Sequence, residues 1–394
     1  MKKKNIFLKL ALAVLAVSLS AAPGAFAAQG KKAEKPAYMF KTVREVARTP
    51  VKDQYHTGTC WCFATVSFLE SELLRLGKGE FDLSEMSVVR RTYPKKAMNY
   101  VQMHGNAVHQ QGGQAHDVID RIRDSGIVPE AVYSGLNIGE KRHNHGEMFA
   151  VLQSIVSAVL KMEGDRLTPR WLEVYEAALD AYLGKLPAEF SWKGKTYTPR
   201  SFASDAMGLD PDDYIELTSY EQHPFYRKCR LEIPDNWTYD SDYVNLPMAE
   251  LEAAVEQALA AGYSVVWDGD VSERDFSTRE TGYALVPEMD WEDKTTAERE
   301  KKPVAPVKEK EVTQAMRSQT LSDFSTTDDH LMHIVGLAQD QTGAKFFLVK
   351  NSGGTDRKYD GYLYMSLPYF HLKTTALMVN KNSLAPELRT KLGI

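Results

Sequence analysis

From Cys60 onward, Trp61, Ala64, Phe68, Leu69, Leu73 and Leu76 recur at steps of three and four residues, and Gly77 follows them. This spacing predicts an amphipathic helix that opens at Cys60 and is capped near Gly77. A thiol on the first turn meets unpaired backbone N–H groups and the positive end of the helix dipole, which favour the thiolate. Two readings stand at this point. Cys60 and Cys62 are small buried hydrophobes of a core helix, the commoner fate of a free cysteine, or Cys60 is a nucleophile, which requires a base elsewhere.

The ten histidines make that search short. His330 begins the apolar run Leu331 to Gly336; a polar turn, Asp340 to Gly343, separates it from a second run, Phe346 to Val349, and then come Lys350-Asn351-Ser352. This is a hairpin pattern. A histidine entering one strand and an asparagine leaving the next fall at the same end of an antiparallel pair, so Asn351 can orient an imidazole. His333 alternates to the other face and reads as an interior histidine. The remaining histidines, among them His104, His109, His116, His143 and His145, lack a convergent ligand spacing, so no metal and no cofactor are expected.

Gln54, Gly58-Thr59-Cys60-Trp61, Asp329-His330 six residues before Gly336, and Lys350-Asn351-Ser352 together resemble the papain-like cysteine peptidases. Within that clan the long spacing is most similar to the bleomycin hydrolase and aminopeptidase C branch, and Leu83-Ser84-Glu85, Gly112-Gly113 and Val265 to Asp270 add to the likeness. The resemblance implies an α+β, two-lobed fold: a helical lobe carrying Cys60 and an antiparallel sheet lobe carrying His330 and Asn351. It also implies thioester chemistry on a peptide substrate, with Gln54 and the Cys60 backbone N–H holding the oxyanion. Gly112 and Gly113 would offer bare backbone to an extended substrate strand.

The departures are specific. Thr57 stands where the family has a cysteine that bridges to one beside the glycine pair, and Gly353 replaces the tryptophan that shields the histidine–asparagine contact. Cys60 and His330 lie 270 residues apart, against roughly 130–150 in a minimal papain-like enzyme. In the resembling branch the C-terminal arm enters the cleft, where its carboxylate meets the substrate amine within a ring-shaped homo-oligomer. Here that arm would be Pro386 to Ile394. A peptide-binding homologue with little turnover, or an amidase or acyltransferase using the same thiol, remains the alternative.

Lys2 to Lys4, the apolar run from Ile6 to Leu19, and Ala25-Phe26-Ala27 read as a secretory signal, residues 1–27, cleaved after Ala27. The peptidase domain is then 28–394, exported to the periplasm or secreted, with no later apolar stretch long enough to span a bilayer. Cleavage removes four lysines and makes the formal charge of −5 more acidic, which disfavours nucleic acid as a partner. Residues 140–240 read as an insertion of helix formers and aromatics, and 290–329 as a charged, exposed excursion. Met248 to Ala261 has helical spacing and leads into a short strand, Ser264 to Asp268. Asp268 and Asp270 at its end are placed where they could meet a substrate amine, but solvated loop acids are the preferred reading.

Overall fold

The computed structural model describes residues 37–162, 166–300 and 305–394; the expected signal segment lies outside them. The first helix, α1 (Cys60–Arg75), is where the heptad-like apolar spacing placed it. Gly77 adopts a φ of +70°, a conformation that costs other residues strain, and this turn lets the Lys78 N–H reach the Leu73 carbonyl at 2.9 Å. Every residue of α1 from Cys60 to Leu73 is buried. It is a central helix rather than a surface one, because the rest of the helical lobe and the sheet cover it from opposite sides.

That lobe is completed by α2 (Glu85–Gln102), α3 (Ala115–Ser125), α4 (Gly146–Leu160) and α5 (Arg170–Leu183). Ser84 caps α2 by accepting from the Ser87 N–H, and Gln114 with Asp117 forms a capping box on α3. Trp61, Phe68, Leu152, Tyr175 and Phe202 join one core. Each such large side chain contributes about 1.5–3 kcal/mol through burial.

The sheet runs β5 (Lys228–Cys229), β6 (Tyr243–Asn245), β4 (Tyr214–Thr218), β13 (Thr374–Asn380), β7 (Val265–Gly269), β10 (His330–Gln339), β11 (Lys345–Lys350), β12 (Tyr362–Ser366), β9 (Tyr283–Ala284) and β8 (Phe276–Ser277). A further strand, β1 (Lys41–Glu45), pairs with β10. Most pairings are antiparallel, but β4–β6 and β9–β12 are parallel, so the sheet is mixed. Its central strands alternate as a two-sided sheet must: Val266, Leu331 and Met378 face the helical core, while Trp267, Met332 and Leu377 face a second core with the Met248–Ala260 helix.

Two expectations need correction. The 140–240 segment supplies α4, α5 and the β2 (Phe190–Trp192) and β3 (Lys195–Tyr197) hairpin to the helical side, yet its last third gives β4 and β5 to the sheet. The charged 290–329 stretch is not wholly an exposed excursion. Its Gln314–Ser322 helix docks on the body through fully buried Arg317, whose guanidinium donates to the Ser219 and His371 carbonyls at 2.7 and 2.6 Å.

Candidate active site

Cys60 begins α1 beneath the first strand residues of β10, and its sulfur is reached by the backbone N–H of Leu331, the residue after His330. His330 Nε2 lies 2.8 Å from Asn351 Oδ1. The same oxygen accepts from the Ser352 N–H at 2.7 Å, which fixes the amide orientation and assigns the ring proton to Nε2. Nδ1 is left as the basic nitrogen. The β10–β11 register, with His333 opposite Lys350, is what brings Asn351 level with the start of β10.

The thiol differs from the expectation of a preformed thiolate. Cys60 is only 8% exposed, and burial pushes its thiol up to about 12, helped by the negative charges of Asp235, Asp268 and Asp328; only the Leu331 N–H opposes them. Burial holds the His330 imidazole below its ordinary value, against the Asn351 hydrogen bond. Desolvation disfavours both charged forms, which favours thiol and neutral imidazole as the resting pair. The helix N-terminus was legible in the sequence; the depth at which it lies was not.

Gln54 is anchored on both sides of the cleft. Its backbone N–H donates to the Ser352 carbonyl at 2.9 Å, its Oε1 accepts from Ser352 Oγ at 2.5 Å, and its Nε2 donates to the Thr57 carbonyl at 2.8 Å. One of the two Nε2 hydrogens remains. Where the family would carry a disulfide, Gly58 N–H donates to Gln111 Oε1 at 2.9 Å and Trp61 Nε1 to the Gln111 carbonyl at 3.0 Å. A Cβ on Gly58 would lie 2.9 Å from Gln111 Cβ, so this close approach needs glycine. The three cysteines are free.

The glycine pair is less open than expected. Gly112 lines the cleft, but its carbonyl accepts a hydrogen bond from Lys96 Nζ, and a Cβ there would fall 1.8 Å from Asp235 Oδ2. Gly113 is buried against Trp61 and Asp117; among the described residues its N–H and carbonyl have no backbone partner. Asp235 thus closes off Gly112, and Gly113 is not part of the cleft lining.

A cleft of about 900 Å³ contains Cys60, Gly58, Gln111, Gly112, Asp235 and Asp328. Asp235 and Asp328 were not singled out in the sequence, because the loops that carry them look like polar surface. Asp268 and Asp270, expected to be solvated, are 2% and 1% exposed. Asp270 is matched by Lys373 at 3.4 Å; Asp268 joins the acids around the cleft. His333 is fully buried, its Nδ1 2.9 Å from Ser67 Oγ beneath α1. Among the described residues no His, Cys, Asp and Glu group could hold a metal ion, and no helix is long and apolar enough to cross a membrane.

Nothing fills the place of the family's shielding indole. A Cβ on Gly353 would meet only Arg357 Nε, at 3.7 Å, and its φ is not in the left-handed region. Gly353→Trp is thus sterically admissible. Excluding water from the His330–Asn351 bond should strengthen it by about 0.5–1 kcal/mol, raising kcat about two- to fivefold in steady-state peptide hydrolysis; an unchanged or lower kcat would show that His330 needs no cover.

A buried thiol at the N-terminus of a helix, packed on the strand that begins with an imidazole held by an amide, is the arrangement of papain-like cysteine peptidases. The chain belongs to the peptidase C1-like family, whose model matches residues 188–393, while the papain family cysteine protease model matches residues 40–153. The first span contains His330 and Asn351, the second Cys60 and Gln54. Aminopeptidase G of Lactobacillus delbrueckii subsp. lactis is 22% identical over 87% of this chain and 83% of its own length. Aminopeptidase C of Lactococcus lactis subsp. cremoris is 21% identical over the same shares. Mitochondrial cysteine proteinase 1 of Saccharomyces cerevisiae is 22% identical over 90% of this chain and 79% of its own. The crystal structure of pepw from Lactobacillus rhamnosis shares the fold, with a TM-score of 0.67 at 18% identity over 90% of this chain and 84% of that one.

The C-terminal arm is not in the cleft. The Pro386–Leu392 helix lies on the Met248–Ala260 helix, where Lys391 Nζ sits 3.2 Å above the Tyr226 ring and 3.7 Å from Glu250. The Ala385 N–H donates to Gln257 Oε1 at 3.2 Å.

Proposed function

We propose that this chain is an exported aminopeptidase acting through Cys60, His330, Asn351 and Gln54. The observation that carries the reading is the 2.8 Å contact of His330 Nε2 with Asn351 Oδ1, which leaves Nδ1 basic on the strand whose next N–H acts electrostatically on the Cys60 thiol. Three relatives at 21–23% identity bear the name aminopeptidase. Export rests on the signal pattern of residues 1–27, and secretion with cleavage after Ala27 is checked by N-terminal sequencing of the mature protein.

The chemistry follows from the neutral pair. As the sulfur attacks the scissile carbonyl, the thiol proton passes to His330 Nδ1, and Asn351 stabilises the imidazolium. The oxyanion meets the Cys60 N–H at the helix N-terminus and the remaining Gln54 Nε2 hydrogen. His330 then protonates the leaving amine, and the thioester is hydrolysed by a water that His330 deprotonates. The cycle returns thiol and imidazole.

A pH profile tests this starting state. With His330 held below 6.5 and Cys60 raised to about 12, the neutral pair persists between those limits. With an N-acetylated ester, so that no substrate amine titrates, kcat/KM should rise on a limb below pH 6.5 and stay level through pH 10. A fall centred near pH 8 to 9 would mean that the thiol is not raised. For the aminopeptidase reading, the mature enzyme should release the N-terminal residue from free-amine peptides; cleavage only at internal bonds would overturn it.

A further inference from the structure

Beside the thiol stand three acids with no ion-pair partner among the described residues, and burial pushes the carboxyls of Asp235, Asp268 and Asp328 above their ordinary range. Asp235 and Asp328 both line the cavity that contains Cys60. Asp328 accepts from Gln114 Nε2 at 3.3 and 3.4 Å and from the Asp235 N–H at 3.2 Å, so the two carboxylate-bearing loops are pinned together. Behind Asp328, Asp268 projects from β7 toward Asp328, Gln114 and Thr375. It is 2% exposed, and neither of its carboxylate oxygens has a hydrogen bond in good geometry.

The nearest cation does not resolve this. Lys96, 1% exposed, directs its ammonium to the Gly112 carbonyl. Among the described residues no cation forms an ion pair with Asp235, Asp268 or Asp328. A buried carboxylate without an ion-pair partner is costly, and Asp268 lies behind Asp328, which itself lines the cavity. All three acids lie close enough to act electrostatically on Cys60.

We propose that Asp235 and Asp328, backed by Asp268, bind the free α-ammonium group of the peptide whose carbonyl is attacked by Cys60. The assignment rests on the peptidase reading above and specifies how that site selects its substrate. The position of Asp235 favours the α-amine over a lysine or arginine side chain. Its carboxylate covers Gly112, so a substrate strand cannot continue past that point, and the group that arrives there is a chain end. The C-terminal arm, docked on the Met248–Ala260 helix, supplies no carboxylate to the cleft in this protomer. The chain's own loops supply it instead. An ammonium docked there also cancels negative charge facing the thiol, so correct substrate eases proton loss from Cys60.

Binding and turnover test this separately. In the mature chain carrying Cys60→Ala, calorimetry should show a free-amine tetrapeptide without basic side chains binding at least tenfold more tightly than its N-acetylated form. It should also outbind an N-acetylated peptide containing lysine. Asp235→Asn and Asp328→Asn should each erase at least tenfold of that preference, and both should melt no lower than the parent, because each removes like-charge repulsion. In the active enzyme the same substitutions should raise KM for the free-amine peptide while leaving kcat within a few-fold. Equal affinities, a preference for the lysine peptide, or a preference that survives both substitutions overturns the assignment. Absence of any peptide cleavage with Cys60 intact would instead overturn the peptidase reading, and the binding result would still stand or fall by itself.

Discussion

In peptide hydrolysis, Cys60→Ala and His330→Ala should each lower kcat by about 10⁶-fold, the loss typical when the nucleophile or the base of such a unit is removed. The double variant should lose no more than the worse single one, because the two groups act as one device. The geometry explains why. Asn351 Oδ1 occupies His330 Nε2, so the ring has one nitrogen left for the thiol proton, and a thiol raised to about 12 is a poor nucleophile until that proton leaves. Steady-state kinetics of the three variants checks this. Additive losses would mean that Cys60 and His330 work independently.

The second large effect concerns stability. Lys52 Nζ lies 3.1 Å from Glu70, 2.8 Å from Glu85 and 2.8 Å from Asp82, and donates to the Leu83 carbonyl at 3.1 Å. The Glu70 side chain is fully buried and that of Glu85 nearly so. Burial works against the Lys52 charge, but Glu85 and Glu70 outweigh it and raise its pKa. Burial also pushes the Glu85 carboxyl up, with Lys52 pulling it back. Lys52→Met keeps the packing and, among the described residues, removes the one cation in ion-pair contact with Glu70 and Glu85, so it should cost about 3–5 kcal/mol. Adding Glu70→Gln and Glu85→Gln should recover most of that, since the uncompensated charges go too. Chemical denaturation measures both; a loss under about 1 kcal/mol in Lys52→Met would show that the cluster is solvated. Lys52, at the centre of this network, lies two residues before Gln54 in the chain.

The parts of the site set by local periodicity were legible in the sequence. The three- and four-residue spacing after Cys60 fixed α1, and alternation around His330 and before Asn351 fixed the hairpin that joins base and orienter. His333, assigned to the interior by the same alternation, lies under α1 against Ser67. What the sequence did not show depends on which loops fold inward. Asp235 and Asp328 sit in polar segments that look solvated, and Asp268 ends a strand. Their place beside Cys60 arises only when α1 and β10 close against each other, and together with burial it pushes up a thiol that was expected to be ionised. The 140–240 segment was read as helical because its first two thirds are; the short strands β4 and β5 are set by pairing beside β13 and have little periodicity of their own.

Site-selective alkylation tests the central claim most directly. A small electrophilic epoxide applied to the mature protein, followed by peptide mapping, should modify Cys60 and spare Cys62 and Cys229. His330→Ala should slow that labelling at least tenfold. Labelling that avoids Cys60, or that proceeds at the same rate without the imidazole, would contradict the assignment of a thiol activated by His330.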